Sequence, residues 1–251
     1  MSAFVNTAPR TWRRGLRCGR QLGLLMARVG GLWFLPIVVV VFFALGIIQA
    51  GVGGFEDGSW RSVWEDSLQP MRYFPLAMSV IVGAGLMPNY VSLGLTRREF
   101  SVGAALMVFA SSVGFAVAGT LGHQIERAVF GWFDEVPTLN APHLFSDSGD
   151  VLAVFGEYSI LTGVHMAAGL LIGATYYRFG GLIGTALLPF TVAPILAVEL
   201  LLSASYFGNV AIDGFGWERQ PLPLVIPACL GIIAVTLWGH YLFIRRQAIK
   251  P

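Results

Sequence analysis

The stretch Leu32-Trp-Phe-Leu-Pro-Ile-Val-Val-Val-Val-Phe-Phe-Ala-Leu-Gly-Ile-Ile-Gln-Ala-Gly-Val52 runs 21 residues without a charge. A helix needs about 20 apolar residues to cross about 30 Å of hydrocarbon, and only a helix or a closed barrel satisfies its own backbone there. A cleaved signal carries a shorter apolar core of about 7–15 residues. This run is longer, and about 30 residues precede it, so it reads as a membrane span. Five further apolar runs follow, at Met71–Leu93, Phe100–Leu121, Val151–Tyr177, Leu182–Ser203 and Leu222–Ile244. Pro36, Pro75, Pro88, Pro189, Pro194 and Pro227 lie within these runs. Membrane helices tolerate them, because neighbouring helices re-satisfy the freed backbone groups.

The rest of the 251-residue chain agrees with that solvent. It is 55% hydrophobic and 12% charged, against about a quarter charged in an ordinary soluble domain. That balance excludes a disordered chain, a disulfide scaffold and a nucleic-acid binder. The predicted fold is an all-α integral membrane protein of six transmembrane helices. Residues 1–31 form an N-terminal segment, 32–244 the six-span domain and 245–251 a tail.

Charge placement gives the orientation. Arg10, Arg13, Arg14, Arg17, Arg20 and Arg28 precede the first span. Arg97 and Arg98 lie between the second and third, Arg178 between the fourth and fifth, and Arg245, Arg246 and Lys250 in the tail. Glu99 is the one acid on that side. The other connections carry Arg61, Arg72, Arg127 and Arg219 against Glu56, Asp57, Glu65, Asp66, Glu126, Asp134, Glu135, Asp147, Asp150, Asp213 and Glu218. By the positive-inside rule both termini are cytoplasmic, in a multi-pass protein of the cell membrane. The longest external connection is Gly122–Asp150. The stretch Ala204–Pro221, with Tyr206, Phe207, Phe215 and Trp217, suits a short interfacial or re-entrant helix.

At 100° per residue the arginines from Arg10 to Arg28 gather on one side of a helix. Trp12, Leu16, Leu22, Leu25, Met26 and Val29 fall on the other. This pattern predicts an amphipathic interfacial helix, with Arg13, Arg17, Arg20 and Trp12 at the membrane surface.

Little in the chain suggests catalysis. Lys250 is the only lysine, and a P-loop needs a lysine between a glycine-rich loop and a helix. The chain therefore holds no P-loop of its own. Cys18 and Cys229 lack the spacing of a disulfide or a metal site. His123, His143, His165 and His240 fall at different depths, so no two match as axial haem ligands on facing helices. They read as structural, and no metal site is expected. Intramembrane acids are costly and mark functional candidates. Glu157 and Glu199 are the two, each either a proton-carrying group or a partner of a neighbouring helix. Gly169 and Gly173 have the small-xxx-small spacing that lets helices approach closely.

Between the second and third spans, Gly94 suits a helix stop. Thr96 with Glu99 three residues on suits a capping box opening the next helix. The stretch Gly94-Leu-Thr-Arg-Arg-Glu-Phe100 resembles the loop of ABC-2-type (type V) ABC transporter permeases. The six-span plan and the amphipathic N-terminal helix are similar to that family as well. The resemblance implies that Thr96, Arg97, Arg98, Glu99 and Phe100 contact a separate ABC ATPase, which holds ATP and Mg, with no cofactor on this chain. It implies a dimer with a second permease, identical or not, embedded in membrane lipid and contacting no nucleic acid. By position it places the substrate pathway on the second and fifth spans, at Tyr73, Phe74, Met78, Thr185, Phe190, Thr191 and Glu199. The family's prominent external segment lies between spans five and six, whereas here the connection between spans three and four is longer.

The function implied is a permease subunit of an ATP-driven exporter, itself not an enzyme, moving an amphiphilic small molecule, a lipid-like compound or a peptide outward. A proton-coupled carrier using Glu157 or Glu199, and a non-transporting membrane scaffold, are the alternatives.

Overall fold

A computed structural model describes residues 8–51, 60–217 and 220–247. Among these, Val52, Glu56, Asp57, Glu218, Arg219 and Lys250 of the sequence reading are not included. Most of the described residues are helical, and none of them forms a strand. Helix α1 (Ala8–Met26) passes through a π-helical turn, Ala27–Phe34, into α2 (Leu35–Gly51). A 3-10 turn, Trp64–Ser67, opens α3 (Leu68–Ile81), which continues through a second π-helical turn, Val82–Leu86, into α4 (Met87–Ser92). Then come α5 (Arg97–Gly131), α6 (Val151–Ala186), α7 (Leu188–Leu202), α8 (Ser205–Phe215) and α9 (Leu222–Ile244).

Among the described residues five helical stretches are long and apolar enough to cross a membrane: Trp12–Gln49, Trp64–Ser92, Arg97–Gly131, Val151–Ala186 and Leu222–Ile244. Helix α7 is apolar but has 15 residues, about 22 Å at 1.5 Å per residue. The chain is thus built of membrane-span-like helices, with one shorter than a full hydrocarbon core.

Helix α6 is the centre. Its residues from Ile160 to Gly173 are almost all buried, and α3, α5, α7 and α9 pack around it. The tightest seam is with α3. A Cβ added at Gly169 would lie 2.5 Å from the carbonyl oxygen of Leu76, and one at Gly173 2.4 Å from that of Val80. The small-xxx-small pair therefore sets a backbone-to-backbone approach. Gly173→Ala must push α3 away, and it is expected to destabilise the fold by about 1–3 kcal/mol. A lower thermal midpoint of the purified protein would show it, and an unchanged midpoint would mean the seam yields freely. Helix α2 is the opposite case: Ile37, Val40, Phe43, Ile47 and Ile48 are all exposed, the outward apolar surface expected of a helix in lipid.

The contacts sort the connections into two ends. At the basic end, Arg14 donates to the carbonyl of Gly94 at 2.7 Å, Arg97 to that of Gln247 at 2.5 Å and Arg178 to that of Phe243 at 3.0 Å. At the acidic end, residues 60–65 pair with Thr138 and Asn140 of the connection after α5.

Three boundaries differ from the sequence reading. Helix α5 does not stop at Leu121 but runs to Gly131, so the connection shrinks to 132–150. The polar run His123–Arg127 reads as loop, yet each polar side chain in it has a partner. His123 meets Tyr158, Gln124 donates to the carbonyl of Ser148, Glu126 accepts from Ser62, and Arg127 pairs with Asp147. The fifth span does not begin at Leu182. Gly180, at φ 79° and ψ −179°, breaks the helical path, and residues 181–186 form an elbow before α7. Helix α1 is not set off from the first span by a loop. It is continuous with α2, and its Gly15, Cys18, Gly19, Leu22 and Met26 are buried. A Cβ at Gly15 would meet Val102, and one at Gly19 would meet Leu106, so this face lies on the first turns of α5. Trp12, Arg13, Arg17 and Arg20 remain exposed beside it.

Candidate functional site

The turn at the basic end is built from local rules. Leu93 ends α4, and Gly94 follows at φ 89°, a left-handed conformation that favours glycine. Thr96 is extended and caps α5: its hydroxyl accepts the Glu99 N–H at 3.2 Å, and the Glu99 carboxylate accepts the Thr96 N–H at 2.8 Å. This is a complete capping box. Arg14 of α1 braces it, with Nη1 3.5 Å from the Glu99 carboxylate.

The five predicted contact residues therefore divide. Glu99 and Phe100 are buried. Glu99 is occupied by the cap, and Phe100 lies among Tyr90 and His240 with ring centroids at 6.0 and 6.4 Å. Arg97 is half-buried and reaches the carbonyl of Gln247. Thr96 and Arg98 are exposed, and so is Leu93 at 80%. At the turn itself Leu93, Thr96 and Arg98 are the exposed side chains that lead into α5, with the exposed Arg13 and Arg17 of α1 and Arg245 and Arg246 at the same end.

The predicted pathway residues do not form one surface. Tyr73 packs edge-on against His165 of α6, with centroids 5.6 Å apart. Phe74 stacks at 4.0 Å on Phe34 of the first helix. Met78 is half-buried and Phe190 points outward, 75% exposed. The Thr191 hydroxyl donates to the carbonyl of Leu188, and Thr185 bonds Tyr176 near the Gly180 elbow. Glu199 is buried, and its carboxylate lies 3.2 Å from Nη1 of the equally buried Arg72.

At the acidic end a second cluster joins three segments. His143 stands between two carboxylates, with Nδ1 2.7 Å from Glu157 Oε1 and Nε2 3.2 Å from Glu65 Oε1. Glu157 also accepts the Leu144 N–H at 2.5 Å, and Glu65 accepts those of Asn140 and Ala141 at 2.6 and 2.7 Å. The side chains of His143, Glu65 and Glu157 are 2%, 5% and 0% exposed. Burial opposes a charge on His143. The hydrogen bonds and charges of the two glutamates outweigh it and carry the imidazole from 6.5 up to about 9,. A cationic ring between two anions clasps the 132–150 connection onto the starts of α3 and α6. A neighbouring set continues it: Glu126 accepts the Ser62 hydroxyl and the Trp64 N–H, and Trp64 Nε1 donates to the carbonyl of Gly119.

No family model matches this chain, and neither a curated protein nor a solved structure matches it. Its chemistry is therefore read from these two ends. The clasp brings together His143, Glu65 and Glu157 from three segments that no local spacing links. The sequence points to a partner for Glu157 on a neighbouring helix, whereas its partner is His143 of the 132–150 connection.

Proposed function

We propose that the chain is the membrane-spanning permease subunit of an ATP-driven ABC exporter, with six crossings and both termini cytoplasmic. In this reading α7, though short, is the fifth crossing, and α8 folds back before α9. The observation that carries the reading is the turn Gly94–Phe100. It is held rigid by a capping box, by Arg14 and by the Gln247 carbonyl, and it presents Leu93, Thr96 and Arg98 outward. A rigid loop joined directly to a 35-residue helix transmits a push at its tip along that helix. An ATPase that binds this tip differently in its ATP-bound and free states shifts the permease between two conformations, as any coupled cycle requires. The amphiphilic cargo assigned here, lipid-like or peptide, follows from the absence of a polar ion cage among the described residues and from the aromatic acidic end.

The carrier reading has less support. Glu157 is closed in by His143, and Glu199 by Arg72, so neither acid stands open in a pathway.

Purification in mild detergent tests the proposal directly: an ABC ATPase is expected to co-purify in stoichiometric amount. Arg98→Glu, alone or with Arg97→Glu, is expected to abolish stimulation of that ATPase while leaving membrane insertion intact. Full stimulation by the Arg98→Glu protein would remove the coupling role from this turn.

A further inference from the structure

A cavity of about 550 Å³ lies between α2 and the second half of α5. Val39, Phe43 and Ile47 of α2 face Leu121, Ile125 and Val129 of α5 across it. These residues recur at four-residue steps, so each helix gives one face. From Leu35 to Ile47 the lining covers about 18 Å of helix, more than half of the roughly 30 Å hydrocarbon core. The cavity thus has the length and lining for a single alkyl chain.

Its polar feature is at one end only. Glu126 is the one ionisable residue in the lining. Its partners there are the Ser62 hydroxyl at 2.6 Å, the Trp64 N–H at 2.8 Å, the Val63 N–H and, at 3.9 Å, His123 Nδ1. Among the described residues no arginine pairs with it. Trp132 and Phe133 also line this end and are 81% and 51% exposed, with Asp134 and Glu135 next to them on the surface. Over residues 60–66 and 126–150 seven acids stand against two arginines and the His143 imidazolium; Arg127 is paired with Asp147 and His143 with Glu65, which leaves the acids in excess. An anionic head is repelled at such a mouth. A cationic head gains the Glu126 carboxylate and the Trp132 ring face.

We infer that this groove binds a single-chain amphiphile with a cationic head, its alkyl chain between α2 and α5 and its ammonium group at Glu126. The site is separate from the α3 and α7 residues assigned above to the pathway, and its occupancy does not depend on transport or on an ATPase.

Trp64 and Trp132 lie in the lining and supply the readout. The full chain, in zwitterionic lipid nanodiscs, is titrated with a long-chain alkyltrimethylammonium brominated along its chain, and tryptophan fluorescence is followed. Alkyl sulfate and alkyl maltoside with the same brominated chain are the comparisons. Saturable quenching by the ammonium probe is expected, at least about tenfold tighter than by the other two. Trp132→Phe should lower its amplitude. Glu126→Gln should weaken ammonium binding about tenfold, which corresponds to about 1.4 kcal/mol. Gly46→Leu should block it without disturbing the fold, because a Cβ at Gly46 meets nothing within 4 Å and the larger side chain enters the cavity. Equal quenching by all three probes, no saturable quenching by the ammonium, or full ammonium binding by the folded Gly46→Leu protein would each overturn the inference.

Discussion

His143→Ala is expected to lower the stability of the folded protein by about 3–5 kcal/mol, one of the two largest single-residue effects in the molecule. The ring stands 2.7 Å from Glu157 and 3.2 Å from Glu65. Removing it leaves two buried carboxylates facing each other with no cation between them. Breaking a buried ion pair by deleting one partner costs about that much, because the remaining charge stays desolvated. Backbone N–H groups of Leu144, Asn140 and Ala141 still solvate the carboxylates, so the connection loosens rather than losing all its ties. Glu157→Gln added to His143→Ala should recover part of the loss, since it removes one of the opposed charges. The wild type carries a matching pH signature. The His143 imidazole is raised from 6.5 to about 9 in the folded state, so between those values the folded protein binds more protons than the unfolded one. Its stabilisation is complete below about pH 6.5, declines by up to about 1.4 kcal/mol per pH unit above it, and is gone beyond about pH 9. Thermal midpoints measured across that window should fall for the wild type and stay nearly level for His143→Ala. A level wild-type profile would show that His143 carries no extra proton.

How much of this was readable from the chain depended on the range of the interactions. The capping box at Thr96 and Glu99 was legible because both partners lie within four residues and follow a local rule. The α3–α6 seam was legible in kind, since Gly169 and Gly173 are one turn apart, although the sequence does not say that α3 is what they face. The extension of α5 to Gly131 was not legible. His123, Gln124, Glu126 and Arg127 look like loop until their partners at Tyr158, Ser148, Ser62 and Asp147 are known, and those partners come from other segments. The clasp has the same cause, since Glu65, His143 and Glu157 meet only when three separate segments fold. The amphipathic pattern of α1 was visible, but helical periodicity alone does not distinguish a lipid-facing side from one packed on a neighbouring helix. Gly15, Cys18 and Gly19, outside the apolar set, are part of the face that docks on α5.

Glu199→Gln is the second large effect, with about 3–5 kcal/mol of stability expected to be lost. Arg72 is 2% exposed, and its Nη1 lies 3.2 Å from the Glu199 carboxylate, while its Nε donates to the carbonyl of Leu68 one turn back. The guanidinium cannot shed its charge, so neutralising Glu199 leaves a buried cation whose nearest anion is gone. Replacing both partners by apolar residues of similar size, Arg72→Met with Glu199→Leu, should restore most of the stability. Such swaps of buried pairs are often neutral or stabilising, because both desolvation costs disappear together. The same double variant separates the two roles proposed for Glu199. If the pair serves only to tie α3 to α7, the stable double variant transports like the wild type. If Glu199 lines the pathway, the double variant is stable yet transports poorly, and the carboxylate itself is then what the cargo meets. Measuring stability and transport on the same preparations distinguishes these outcomes, because Glu199→Gln alone lowers both and identifies neither role.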